Sequence, residues 1–120
     1  MSETTHIQHI DDLETYAPPG HSGTRNVRLV EGAEAGAFEM VLGRLEPGGR
    51  ADKHFHETNY QAMYVVAGRA EVTLGNAPAE ICGPGTIVRI PPGLPHEVVS
   101  LGPEALELVL VYSPPLARAP

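Results

Sequence analysis

Thirteen glycines and twelve prolines fall across 120 residues, so the chain cannot run far in one direction before it is made to turn. Glycine allows the backbone to reverse, and proline breaks a helix and cannot donate to the middle of a sheet. The short runs between them are rich in Val, Leu, Ile and Thr and partly alternate with a period of two, which predicts an all-β domain. Nine such runs are predicted as strands: Val27–Glu31, Phe38–Glu46, Lys53–Glu57, Tyr60–Ala67, Arg69–Leu74, Ala79–Cys82, Thr86–Ile90, His96–Leu101 and Leu106–Tyr112. Turn formers such as Glu46-Pro47-Gly48-Gly49 and Leu74-Gly75-Asn76 separate them. Strands this short and this numerous suit a sandwich or a barrel.

No long segment keeps a helical apolar stripe, although Ile7 to Tyr16 is expected to form a turn or two of helix with Asp11, Asp12 and Glu14 in solvent. Ser113 to Pro120 holds three prolines and little to bury, and is expected to be a loose tail. The predicted organisation is an N-terminal arm over 1–26, one β-barrel over 27–112 and a tail over 113–120.

With 42% hydrophobic residues the chain can build one core but not two. Its net charge is −7, and no Lys/Arg cluster interrupts the acidity, which argues against a nucleic-acid partner or an anionic membrane surface. Cys82 is the single cysteine, so an intramolecular disulfide and a four-cysteine zinc or iron–sulfur site are both excluded. A lone thiol fits a reducing cytoplasm. The first residues lack the basic-then-apolar pattern of an export signal, and nowhere do roughly 18 uncharged apolar residues run together, so no membrane span is expected.

Four potential metal ligands lie in two short stretches: His54-Phe55-His56 with Gln61 five residues on, and His96 at the end of Pro91-Pro92-Gly93-Leu94-Pro95-His96. Residues i and i+2 of a strand share a face, so His54 and His56 are expected to start about 6.5–7 Å apart and to converge, with Phe55 turned away. A hairpin through Glu57, Thr58 and Asn59 is then predicted to return Gln61 to the same interior. Counting by twos from Gln61 puts Met63, Val65 and Ala67 on that face and Tyr60 and Tyr64 on the other.

The pattern Gly48-x₅-His54-x-His56-x₄-Gln61-x₆-Gly68 resembles the first cupin motif, with glutamine where the family usually has glutamate. Gly85-x₅-Pro91-x-Gly93-x₂-His96-x₃-Ser100 resembles the second, with serine in place of asparagine. The resemblance implies the cupin double-stranded β-helix, an RmlC-like jelly-roll barrel. It further implies one divalent metal ion seated by His54, His56, Gln61 and His96, and assembly into a homodimer. Gly48, Gly68, Gly85 and Gly93 would then stand at turns with positive φ, while Pro91 and Pro95 stiffen the loop that presents His96.

Three imidazoles and one amide oxygen suit Fe, Mn, Ni, Co or Zn. A neutral glutamine leaves the ion its full charge, which weakens its hold somewhat and makes it a stronger Lewis acid. The expected function is a metal-dependent enzyme with dioxygenase-like or Lewis-acid chemistry, as a cyclase, isomerase or lyase, on a small carbonyl or enolisable substrate. The alternative is a non-catalytic module that binds a metal or a small ligand; no DNA-binding helix pair is visible beside the barrel.

Further candidates surround these ligands. His21, in Pro18-Pro19-Gly20-His21-Ser22-Gly23, is a possible extra ligand or acid/base group. Glu57 is a candidate base, and Asn59 a partner for a ligand's second N–H. Tyr60, Tyr64, Arg44 and Arg89 offer donors for a substrate carboxylate, and Ser100 points inward by parity. Each has a plainer reading: His21 as a solvated loop histidine, Glu57 and Asn59 as turn formers, the tyrosines and arginines as outer-face residues. His6 and His9 read as exposed, and Cys82 as a small buried residue.

Overall fold

The computed structural model describes residues 6–116. Its strands are β1 (Thr15–Tyr16), β2 (His21–Val30), β3 (Glu39–His54), β4 (Tyr60–Ala67), β5 (Ala70–Leu74), β6 (Glu80–Cys82), β7 (Ile87–Ile90), β8 (His96–Ser100) and β9 (Leu106–Ser113). A 3-10 turn at Ile10–Asp12 and a single helical turn, α1 (Gly32–Ala35), complete the described elements. All the pairings are antiparallel, and the main path runs β6-β5-β8-β3-β9-β4-β7, with β2 on β3 and β1 on β2. The chain is all-β, as its punctuation predicts, and of the jelly-roll type that the cupin resemblance implies. Among the described residues no helix is long and apolar enough to cross a membrane.

The curled sheet buries one face of each strand. Met63 and Val65 on β4, Val88 and Ile90 on β7, Val98 on β8 and Leu106, Leu108 and Leu110 on β9 form a single core with Val41, Leu45 and Ala51 of β3. Burying a side chain such as Met63 or Ile90 contributes about 1.5–3 kcal/mol. Tyr60, Tyr64 and Val66 alternate onto the outer face, as the parity argument requires.

Three local expectations are corrected. The strand predicted from Val27 begins at His21, because its inward row is polar: Thr24 and Asn26 are buried where alternation would look for apolar residues. The predicted turn at Glu46–Gly49 is a bulge inside one long strand, β3, not a break between two. Pairing with β2 jumps from Thr24↔Leu45 to Ser22↔Arg50, and Gly49 packs so tightly on Ser22 and Gly23 that a Cβ there would lie 2.8 Å from the Gly23 carbonyl oxygen. The hairpin expected between residues 53–57 and β4 does not form. β3 stops at His54, and near that end both of its edges are already taken, Ala51 pairing with His21 on one side and Val98 on the other. β4 therefore crosses the barrel and pairs with β9 and β7.

The ends also differ from expectation. Helix between Ile7 and Tyr16 shrinks to the 3-10 turn, capped when the Asp11 N–H donates to His9 Nδ1 at 3.1 Å, and Thr15–Tyr16 already pair with β2. The expected tail is held at its start. Ser113 Oγ donates to Ala37 O at 2.8 Å, Asn59 Nδ2 to Pro114 O at 2.6 Å, and Leu116 N to Glu39 Oε1 at 2.6 Å. The remainder of that predicted tail, 117–120, lies outside the described residues.

Candidate metal centre

The two motifs meet where the end of β3 lies beside the start of β8, with His54 and His96 as direct cross-strand partners. Their ring centroids are 4.3 Å apart; His56 lies 5.0 Å from His54 and 5.5 Å from His96. The candidate ligand nitrogens of all three fall within 4.8 Å of one another. His56 sits two residues past the strand end, so loop geometry brings it in, not the strand parity expected from its spacing. A hydrogen bond from Gly93 N to His56 O, 2.8 Å, ties the loop that carries His96 to the segment that carries His56.

The backbone also sets the tautomers. His54 Nδ1 lies 2.7 Å from Asp52 O and His96 Nδ1 lies 3.0 Å from Leu94 O, in each case the carbonyl two residues upstream. A carbonyl only accepts, so Nδ1 carries the proton in both rings and Nε2 keeps its lone pair. That is the tautomer a metal ligand needs. His96 Nε2 and His56 Nε2 are buried without a hydrogen-bond partner, and so is Gln61 Oε1. Burying such atoms unpaired is unfavourable by about 1–3 kcal/mol each, so three of them at or beside the histidine cluster suit a site built to receive a cation.

Burial disfavours the charged form of His96 and His56. Burial, only partly offset by the Leu94 carbonyl and reinforced by His54 and His56, pushes His96 down to about 4. Burial followed by the nearby His54 lowers His56. The same two causes lower His21, against an opposing pull from Asp52.

Gln61 reaches the site from β4, the second residue of that strand, and is only 5% exposed. With His54 and His96 it lines a cavity of about 30 Å³, whose wall includes Met63, Val98, Leu108 and Leu110. A wider cleft of about 440 Å³ lies alongside, lined in part by His54, His56, Pro18 and Pro19. His21, Asn26, His54 and Tyr112 line both spaces, so they form the passage between them.

Residues 41–112 match the Cupin_2 family, described as "Cupin domain". The chain is a cupin. Solved structures with the same fold include the polyketide cyclase RemF from Streptomyces resistomycificus, at 25% identity and a TM-score of 0.81, covering 98% of this chain and 83% of that one. KdgF from Halomonas sp. aligns at 26% identity and a TM-score of 0.73, covering 87% of this cupin and 90% of its own chain. An RmlC-like cupin from Shewanella frigidimarina aligns at 23% identity and a TM-score of 0.76, with 98% and 96% coverage. No curated protein matches the cupin in sequence.

The other expected site residues divide. His21 stands at the edge of the cavity, its ring 6.4 Å from that of His54, outside the three-histidine cluster. Its Nδ1 is 3.2 Å from Thr24 Oγ1, and the Thr24 hydroxyl proton is directed to Ser22 O. Glu57 is exposed, Tyr60 and Tyr64 are 41% and 45% exposed on the outer face, and Arg89 is exposed on β7. Arg44 pairs with Glu107 at 3.8 Å on the outside, and Asn59 anchors the C-terminal segment instead of a ligand. Ser100 is inward and buried, but it stands four strand positions from His96, about 13 Å along β8. Asn26, Arg28, Glu39 and Tyr112 line the cleft without having been singled out in the sequence. The signal for Asn26 and Arg28 was the polar i, i+2 row Thr24-Asn26-Arg28, readable only once β2 is known to start at His21.

Proposed function

We propose that this cupin is a metal-dependent enzyme acting on a small carbonyl or enolisable substrate, with Lewis-acid chemistry of the cyclase, isomerase or lyase kind favoured over dioxygenase-like chemistry. The observation that carries the reading is the cluster of His54, His56 and His96 nitrogens within 4.8 Å of one another, with buried, unpaired Nε2 atoms on His56 and His96 and a buried, unpaired Gln61 Oε1 in the cavity that His54 and His96 also line. A divalent ion of the Fe, Mn, Ni, Co or Zn group held by these four side chains would supply a Lewis acid that polarises a substrate oxygen. The likeness to a polyketide cyclase over nearly the whole chain supports the Lewis-acid branch.

The residues of the chain supply the rest. Asp52 and Leu94 carbonyls hold His54 and His96 in the receptive tautomer, and the apolar wall of Met63, Leu108 and Leu110 keeps bulk water from the reacting oxygen. His21 donates Nδ1–H to Thr24 Oγ1 and keeps Nε2 free to take a proton from an enolisable carbon at the passage. The buried, unpaired Cys82 thiol supports a cytoplasmic setting, and the two-residue β1 leaves much of the outer edge of β2 open to pair with a second copy in a homodimer.

Protein loaded separately with Fe(II), Mn(II), Ni(II), Co(II) and Zn(II) is screened against enolisable acids, catechols and diketones, with oxygen uptake and mass spectrometry as readouts. Product without oxygen uptake, dependent on the ion, is the expected result. Stoichiometric metal binding with no product from any combination would replace this reading by that of a binding module. Sedimentation as a monomer at micromolar concentration would remove the dimer.

A further inference from the structure

Arg28 is the arginine that lines the outer cleft. It follows Asn26 by two residues on the inward row of β2, so the two side chains rise from one face about 6.5–7 Å apart. Both line the cleft that also reaches His54 and His56. The guanidinium carbon stands 3.8 Å over the centre of the Tyr16 ring, so one face is covered while the in-plane donors remain at the edges. Arg28 Nε is buried with no hydrogen-bond partner. The neighbouring carboxylate, Glu39, has its Oε2 3.8 Å from that nitrogen, beyond hydrogen-bond reach, and its Oε1 accepts from Leu116 N at 2.6 Å. Glu39 thus forms an ion pair with Arg28 that makes no hydrogen bond to its donors.

Asn26 completes the picture on the inner side. It is 4% exposed, and its Oδ1 is buried without a donor, lodged where a Cβ on Gly43 would come within 3.1 Å. Pro18, Pro19 and Tyr112 give the cleft flat, largely apolar walls between these polar ends.

We infer that Arg28, stacked on Tyr16, anchors the acid group of a planar substrate whose hydroxyl or enol end is read by Asn26 at the entrance to the three-histidine cavity. The substrate class is then a flat, aromatic or conjugated carboxylate bearing an ortho or β hydroxyl. A coplanar carboxylate meets two guanidinium donors at once, a geometry lysine cannot copy. This inference rests on the proposed function for the chemistry at the inner end, but Arg28 and Asn26 are not metal ligands, so their binding role is tested separately.

Salicylate and its neutral isostere salicylamide serve as probes, titrated by calorimetry into the purified full chain, both metal-loaded and metal-free. Wild-type protein is expected to prefer salicylate by roughly tenfold or more, a margin set by one charge-assisted bidentate contact. Arg28→Met is expected to bind both probes alike, Arg28→Lys to recover only part of the preference, and Asn26→Leu to weaken both probes several-fold. Ion stoichiometry, read by elemental analysis, is expected to stay the same in all three variants. Equal binding of the two probes by wild type, no binding of either, or an undiminished preference in Arg28→Met would overturn the anchor. Should Arg28→Met fail to fold, Arg28→Lys carries the test, and full preference there overturns it equally. A chain that keeps the salicylate preference but takes up no ion would remove the metal-dependent reading while leaving the anchor in place.

Discussion

Replacing Gln61 by leucine should make the metal-free protein more stable and the metal site weaker. Gln61 is 5% exposed and its Oε1 has no partner, so the folded chain has desolvated an acceptor without compensation. Removing that acceptor relieves a penalty of about 1–3 kcal/mol, and leucine matches the apolar character of Met63 and Leu110, which line the same small cavity. For a chain of this length the gain corresponds to a rise of roughly 3–10 °C in Tm. The same change removes one of four donors, and because even the outer partners of metal ligands are worth about 10–100-fold in affinity, losing Gln61 should weaken binding by at least about tenfold. Urea denaturation of chelator-treated protein gives the first quantity, and competition against a chromophoric chelator gives the second. A leucine variant that is less stable without metal, yet binds the ion as tightly as wild type, would refute the claim that Gln61 is held unpaired for a ligand.

Metal-free protein should also lose stability as pH falls from about 6.5 to about 4, because in that window the unfolded chain binds a proton at residue 96 that the folded chain refuses. His96 alone accounts for about 3 kcal/mol, and the lowered His56 and His21 act in the same direction; denaturation at pH 7 and pH 4.5 measures it, and an identical slope in His96→Gln would count against His96 as the source. Gly68→Ala should cost about 2 kcal/mol or more, since φ is +80° and the new Cβ would stand 2.5 Å from Ala105 O. Gly85→Ala, with φ +90° and nothing within 4 Å, should cost only the backbone strain of about 1–2 kcal/mol, so equal losses at the two positions would contradict the packing account. His21→Gln should still bind one ion per chain, because the three-histidine cluster forms without it; elemental analysis showing loss of the ion would make His21 a ligand.

What the sequence made legible was whatever depends on periodicity and spacing. The alternation through Gln61, Met63 and Val65 correctly separates the buried face of β4 from Tyr60 and Tyr64, because a two-residue period survives whichever strand is the neighbour. Gly48, Gly68, Gly85 and Gly93 all have positive φ, as their turn positions predict. Pairing was not legible. A hairpin after His56 looks natural in one dimension, but it needs a free edge on β3, and β2 and β8 occupy both. For the same reason Thr24 and Asn26 read as part of an arm ahead of a strand that starts at Val27: only the folded barrel reveals that an inward face can be polar where it lines a cleft. The gathering of His54, His56 and His96 was legible through the resemblance of the two motifs to the cupin pattern, whereas the direct pairing of His54 with His96 was not.

The rigidity of the site comes from the backbone. Asp52 O and Leu94 O fix the rings of His54 and His96 through contacts only two residues long, and Gly93 N–H to His56 O ties the loop that carries His96 to the segment that carries His56. In all three bonds the acceptor is a main-chain carbonyl, so they need no other side chain and hold the imidazoles in place before any ion arrives. Preorganisation of that kind lowers the ordering cost of binding at the unpaired side-chain atoms. It also places the adjustable chemistry elsewhere, in the cleft formed by β2 and the Pro18-Pro19 segment, where substitutions at Tyr16, Asn26 or Arg28 can alter what is bound without disturbing the three histidines.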